Sequence, residues 1–267
     1  MTTGFVGLGR MGAAMAKHLV QPLVFDVRSE ATKAFENVAA SVAEVGERCD
    51  LVSVCVFDDA QTRDVVRELL TTAKPKTVIA IHSTIAPGTA EELAAQAGDV
   101  QIVDAAITGG PMGAAEGSLV VMAGGWTDAI DVCRERFTWA SRVVRAGPVG
   151  AGTRMKLAKN LITYAAFAAV GEAQRLAQAA GLDLIELGNV VRQSDKVTGG
   201  PGAVMFRDTA EPAPEDDPWH DILTHTRDLA EKDLAFALEL GRALGVDLPL
   251  AQLALERIAD ALGAPHD

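Results

Sequence analysis

The chain has 267 residues, with 24 Lys plus Arg against 36 Asp plus Glu, for a formal charge of −12; this length suits one large or two modest domains. With 49% hydrophobic and 22% charged residues it is too apolar to be disordered as a whole. The negative balance and the scattered basic residues leave no stripe for nucleic acid.

From residue 4 to about 146, short β-branched or apolar runs alternate with helical stretches, the pattern of a doubly wound α/β domain with a parallel sheet. Strands are predicted at 4–6, 23–25, 51–56, 77–82, 101–105, 119–123 and 141–145, with helices at 11–20, 29–35, 61–70, 89–97 and 127–138. At GPVGAG, residues 147–152, glycine and proline interrupt the chain, and the remainder is almost purely helical: 153–180, 183–192, 220–244 and 250–262. The domains expected are therefore 1–152, α/β, and 153–267, all-helical. The segment 195–218, carrying VTGGPG and EPAPEDDP, lacks periodicity and is predicted to be a surface excursion or mobile flap, with Trp219 beside it as an anchor.

Cys49, Cys55 and Cys133 are far from CxxC spacing, which argues against a disulfide framework or zinc site and for buried thiols in a reducing compartment. His220 and His225 are five apart, not the three or four of a helical ligand pair, so they are read as structural and no metal is expected. The opening MTTGFVGLGR is not a secretory signal, and no run approaches the roughly 18 apolar residues of a membrane span. A cytoplasmic protein without a membrane partner is expected.

Gly7, Leu8, Gly9, Arg10, Met11 and Gly12 spell GxGxxG directly after the first strand and at the start of the first helix. The first glycine permits a tight turn, the second lets backbone approach a pyrophosphate, and the third lets helix and strand pack closely. Asp26 ends the second strand 19 residues after Gly7, where a carboxylate can accept from a ribose hydroxyl pair. The bland alternative is a glycine turn that merely closes a βα unit. A carboxylate about 4 Å from a 2′-phosphate costs about 1 kcal/mol in water and about 4 at an effective dielectric near 20, which favours NAD. Arg10 and Arg28 can each reach a phosphate and offset that repulsion, so NADP stays open as the alternative cofactor.

The run GFVGLGRMGAAMAKHL, residues 4–19, resembles the amino-terminal signature of the β-hydroxyacid dehydrogenases, the family of 3-hydroxyisobutyrate dehydrogenase and tartronate semialdehyde reductase. DAAITGGPMGAAEGSLVVMAGG, residues 104–125, is similar to that family's substrate-binding segment, GPVGAGTRMKLAKN, 147–160, to its catalytic segment, and KDLAFALELGRALGVDLPL, 232–250, to its late helix. The resemblance implies a Rossmann domain followed by an all-helical domain for substrate and oligomerisation, pairing into homodimers or homotetramers. It implies hydride transfer between NAD(P) and a small β-hydroxy acid or the corresponding semialdehyde. It further implies Lys156 as catalytic lysine and Asn160 as its partner, with Thr108, Gly109 and Gly110 holding a substrate carboxylate. Thr84 would lie on the nicotinamide side, Val56 and Phe57 beside the cofactor, and Lys232 would reach back toward it.

Elementary geometry agrees for the lysine, since positions i and i+4 of a helix face the same way. Taking up a hydroxyl proton in oxidation asks for an amine brought from about 10.4 to roughly 7–8, some 3–5 kcal/mol of differential interaction. Burial in a cleft under the domain boundary, and like charge from Arg154 or Lys159, are the causes available. Departures from the family pattern are Lys159 in place of the first of two asparagines, Ala106 where proline is common, His82 before Ser83, and the 195–218 segment. The competing readings are an imine reductase-like enzyme, whose group usually lacks such a lysine, and a non-catalytic dinucleotide-sensing or scaffolding protein.

Overall fold

Period-two burial organises the first half of the chain. In the computed structural model, which describes residues 1–205 and 207–266, strands β1 (Thr3–Val6), β3 (Leu51–Val54) and β4 (Val78–Ile81) divide their side chains between two apolar clusters. Phe5, Leu51, Val78 and Ala80 join one cluster, and Val6, Val52, Val54, Ile79 and Ile81 the other. A strand buried on both faces reads as a continuous apolar run, because helices cover each side of the sheet.

With β2 (Leu23–Phe25), β5 (Gln101–Thr108), β6 (Leu119–Gly124) and β7 (Ala140–Gly147), the sheet has seven strands in the order β2-β1-β3-β4-β5-β6-β7. All neighbours are parallel except β5 and β6, which run antiparallel. That pair departs from the all-parallel expectation. Beyond β2, a single parallel bridge between Val24 and Val38 stands where a further strand of the first half would lie.

The helices of this half are α1 (Arg10–Ala16), α2 (Ser29–Thr32), α3 (Val42–Arg48), α4 (Asp59–Leu70), α5 (Thr89–Gln96), α6 (Gly110–Glu116) and α7 (Thr127–Arg136). Two are absent from the sequence-based prediction. In α3, the Ser41 hydroxyl accepts from the Glu44 N–H and starts a helix too short to display a clear apolar period. α6 occupies what reads as a loop, with Pro111 in its first turn and Gly117 closing it at φ 69°. Helix α1 stops at Ala16 rather than 20, strand β3 stops at Val54 rather than 56, and β5 runs on through Thr108.

His82, at the end of β4, is 3% exposed. Its Nδ1–H donates to the Ala105 carbonyl at 2.9 Å, and its Nε2 accepts from the Ser53 hydroxyl at 3.0 Å, so one ring bridges β3, β4 and β5. Phe137 and Trp139 pack edge-on against it.

The chain divides into two compact units, the first ending at Lys159 and the second beginning at Asn160, inside the long helix α8 (Ala151–Ala179). The second unit continues through α9 (Leu184–Thr198), a 3₁₀ turn (Gly200–Gly202), α10 (His220–Leu244) and α11 (Pro249–Ala261). Glu172 is 5% exposed and its carboxylate accepts from the N–H groups of Leu250 and Ala251 at 2.7 and 3.0 Å, closing the start of α11.

The aperiodic segment begins after α9 has run on to Thr198, and its second part is pinned rather than loose. The Arg207 guanidinium bonds Asp217 and the Glu211 carbonyl, and the Ala213 N–H donates to the Gly263 carbonyl at 2.7 Å. His220 donates to the Ala213 carbonyl, and Arg227 to those of Ala264 and Pro265. These bonds replace the helical periodicity that the sequence lacks there. Among the described residues no helix is long and apolar enough to cross a membrane.

Candidate active site

Strand β1 lies between β2 and β3, so the chain leaves it first to one side and later returns on the other. Such a reversal opens a crevice beyond the carboxyl ends of the strands. The loops after β1 and β3 both end there, carrying Gly7 to Gly12 and Val56 to Phe57.

The three glycines meet different constraints. Gly7 has φ 92°, and a Cβ there would run into the Cys55 carbonyl. At Gly12 a Cβ would collide with the Gly7 carbonyl, so strand end and helix pack at backbone contact. At Gly9 a Cβ would meet no described atom within 4 Å. The space left open at the middle glycine continues into a hollow of about 420 Å³ lined by Leu8, Arg10, Ala13, Arg28 and Glu30.

Asp26 holds this hollow in shape. Its Oδ2 accepts from the Leu8 N–H at 2.7 Å and its Oδ1 from the Arg28 N–H at 2.8 Å, while the Arg28 guanidinium pairs with it at 3.2 Å. Burial pushes the Asp26 pKa up, but the Arg28 guanidinium and the two N–H donors outweigh it, and the carboxyl lies below its ordinary range. An open glycine, a carboxylate at the end of β2 and two arginines at the rim fit a dinucleotide.

The loops after β3 and β4 are tied together. The Ser83 hydroxyl donates to the Val56 carbonyl and accepts from the Val56 N–H, both at 2.9 Å. Asp59 accepts from the Ala86 N–H, the Thr89 hydroxyl and Arg63, which clamps the loop bearing the exposed Thr84. Val56 is half-buried and Phe57 is 90% exposed.

Thr108 ends β5 rather than lying in a loop, and Gly109 and Gly110 follow with φ of 126° and 64°. A Cβ on Gly109 would press on Leu119 Cδ2 at 2.9 Å, whereas one on Gly110 would meet no described atom within 4 Å. Lys156 is half-buried on α8, and its Nζ donates to the Ile107 carbonyl at 2.7 Å, one residue before Thr108. Burial lowers the Lys156 pKa from 10.5, and the charge of Lys159 lowers it further. Arg154, the other cation named for that effect, is engaged elsewhere, with its guanidinium 2.6 Å from Glu91.

Asn160 follows Lys156 one turn along α8, half-buried. Lys232 lies on α10, its amine 3.2 Å from the neighbouring Asp233. The first unit thus brings Lys156 and Thr108 together through Ile107, and gathers the glycines, Asp26 and Val56 at the crevice. The Ile107 carbonyl and the Ser83 clamp escape sequence reading: a backbone oxygen has no residue signature, and a serine facing another loop has no local one.

The family model described as the NAD binding domain of 6-phosphogluconate dehydrogenase matches residues 2–147, and that described as the NAD-binding of NADP-dependent 3-hydroxyisobutyrate dehydrogenase matches 150–266. An uncharacterized oxidoreductase of Mycobacterium tuberculosis is 52% identical, covering 98% of this chain and 94% of its own. The NAD-dependent L-serine dehydrogenase of Pseudomonas aeruginosa is 30% identical over 94% and 89%, and mitochondrial 3-hydroxyisobutyrate dehydrogenase of Mus musculus is 32% identical over 79% and 65%. Among solved structures, an oxidoreductase from Mycobacterium avium has 49% identity, covers 99% of each chain and superposes with a TM-score of 0.94. An imine reductase from Myxococcus stipitatus in complex with NAD+ shares the fold at 18% identity, 99% and 94% coverage and a TM-score of 0.76. With both halves matched by NAD(P)-binding models, the second of them that of a 3-hydroxyisobutyrate dehydrogenase, and with a 3-hydroxyisobutyrate dehydrogenase among its relatives, this chain belongs to the β-hydroxyacid dehydrogenase family and is a Rossmann-fold protein that binds NAD(P).

Proposed function

We propose that this enzyme interconverts a small β-hydroxy acid and the corresponding semialdehyde, with Lys156 carrying the proton. The observation that supports this most is the Lys156 amine, half-buried and bonded to the Ile107 carbonyl, beside the Thr108-Gly109-Gly110 turn. Residues 1–152 would hold the dinucleotide, through Gly7 to Gly12, Asp26, Val56, Phe57 and Thr84. When bound, the nicotinamide takes up or supplies the hydride.

The chain's own residues do the rest. Thr108 offers a hydroxyl, and the exposed Gly109 and Gly110 offer backbone N–H groups to a carboxylate. Lys156, neutral, accepts the hydroxyl proton during oxidation, and as an ammonium it returns that proton during reduction. A lowered pKa helps the first direction, because more of the amine is free at neutral pH. Asn160, one turn on, orients the reacting oxygen, and Lys232 in the helical part is assigned to the cofactor side. Asp26 favours NAD over NADP by charge repulsion of a 2′-phosphate, with Arg28 reducing the margin.

Residues 153–267 are proposed to pair with a second copy. L-serine and 3-hydroxyisobutyrate, named for relatives, are the first substrates to assay with NAD and NADP. Lys156→Ala should lower kcat by about a hundredfold or more while leaving the cofactor Kd within a few fold. A mutant that keeps its kcat would remove the lysine from the reaction.

A further inference from the structure

One buried carboxylate in the first unit has no part in the reaction just described. Asp104 is 1% exposed, in the middle of β5. Its Oδ1 accepts from the Gly150 N–H at 2.7 Å and its Oδ2 from the Thr153 N–H at 2.6 Å, and the Thr153 side chain adds a further hydrogen bond. These donors belong to the start of α8, where the first turn of a helix leaves N–H groups without helical partners.

The surroundings show why a carboxylate is needed there. A Cβ on Gly152 would collide with the Asp104 and Met122 carbonyls, and one on Gly124 would collide with Asp104 Oδ1 and lie 2.8 Å from the Gly152 nitrogen. Strands β5 and β6 and the first turn of α8 therefore meet at backbone contact. At that distance an unpaired N–H is costly. The helix dipole adds attraction for a negative charge.

The same strand then meets the same helix a second time. Thr153 and Lys156 are three apart on α8, hence on one side of it, and Asp104 and Ile107 are three apart on β5. The first pair is joined by the Asp104 carboxylate, the second by the Lys156 amine on the Ile107 carbonyl. We propose that Asp104 is the positioning residue for Lys156: it fixes the depth and rotation of α8 against β5, so that the amine emerges one residue before Thr108. Asp104 acts through Lys156, and its catalytic consequence rests on the lysine's proposed role.

Asp104→Asn tests this. The carboxamide keeps one acceptor but turns an NH2 toward one of the two N–H donors, so the first turn of α8 must move. Thr153→Pro removes the Thr153 N–H and hydroxyl but leaves the Gly150 bond to Asp104, at a position in the first turn where proline is tolerated, and serves if the asparagine variant does not fold. In a variant that retains its circular dichroism and its cofactor Kd, kcat for 3-hydroxyisobutyrate or L-serine should fall about tenfold or more, with a smaller change in KM. Acetic anhydride should label Lys156 several times faster than in the parent, relative to exposed Lys33, as read by mass spectrometry. Labelling needs no turnover, so it reports on Asp104 even if Lys156→Ala shows the amine to be dispensable. Unchanged labelling of Lys156 in a folded variant would overturn the positioning role, and so would an unchanged kcat where Lys156→Ala is inactive.

Discussion

At the scale of single residues, the GxGxxG motif treats three glycines alike, and the structure separates them. Gly9 opens on empty space, and Gly12 lies against the Gly7 carbonyl. A side chain at Gly9 therefore costs the fold little and fills the place meant for a pyrophosphate. Gly9→Val is expected to leave Tm within about 2 °C of the parent and weaken NAD binding at least about tenfold. Gly12→Ala should instead lower stability by about 1–3 kcal/mol, as overpacking does, measured by urea unfolding without cofactor. Equal loss of stability in both would contradict the open space at Gly9. The motif itself was legible because its glycines are fixed by spacing, whereas Arg154 shows the limit. Sequence alone offers it as a neighbouring charge for Lys156, but its guanidinium reaches Glu91 on α5 instead.

At the scale of elements, polar groups brought from distant segments decide how the pieces lock. Asp104 closes α8 from 46 residues before Gly150, and Glu172 closes α11 from 78 residues before Leu250. His82 does comparable work between strands, and it has a pH signature. Burial lowers its pKa to about 4, from 6.5 for an ordinary histidine, so the folded protein keeps it neutral while the unfolded chain protonates it below 6.5. Its contribution is full above pH 6.5 and is lost as pH falls toward 4. Between pH 7 and 5 this amounts to about 2 kcal/mol. His82→Gln, which can donate and accept in the same places, should flatten that part of the stability–pH curve in urea titrations; an unchanged slope would show that the ring is not the group responsible. Strands β1 to β4 were readable from their apolar runs, while α3 and α6 were not, being too short for a helical period to register against glycine and alanine.

At the scale of the whole molecule, the two units are built differently. The first has a core on each face of its sheet. The second buries a cluster of Ala213, Leu223, Leu262 and Ala264, with Ile258 packed against it, while Leu161, Tyr164 and Phe167 of α8, Ile185 and Val197 of α9 and Phe236 of α10 are each more than 60% exposed. Apolar surface on that scale is what the proposed pairing rests on; a second copy of the same helices would supply matching surface under two-fold symmetry. Light scattering should give at least twice the 27.9 kDa chain mass at micromolar concentration, and Phe167→Glu should shift the protein toward the monomer. A monomer in the parent protein would dismiss the pairing.

The sequence by itself determined the doubly wound sheet, the helical second half and the dinucleotide fingerprint, because hydrophobic period, glycine spacing and a strand-ending acid are local patterns. Only the tertiary structure decided which atoms answer each other across the chain. The Lys156 amine bonds a backbone carbonyl that no residue type announces. Asp104, a mid-strand acid in an otherwise apolar run, finds its purpose in a helix that starts 47 residues later, at Ala151. Such pairings are settled when the packed sheet and helix exclude water and every buried donor must find an acceptor, a condition that exists only in the folded molecule.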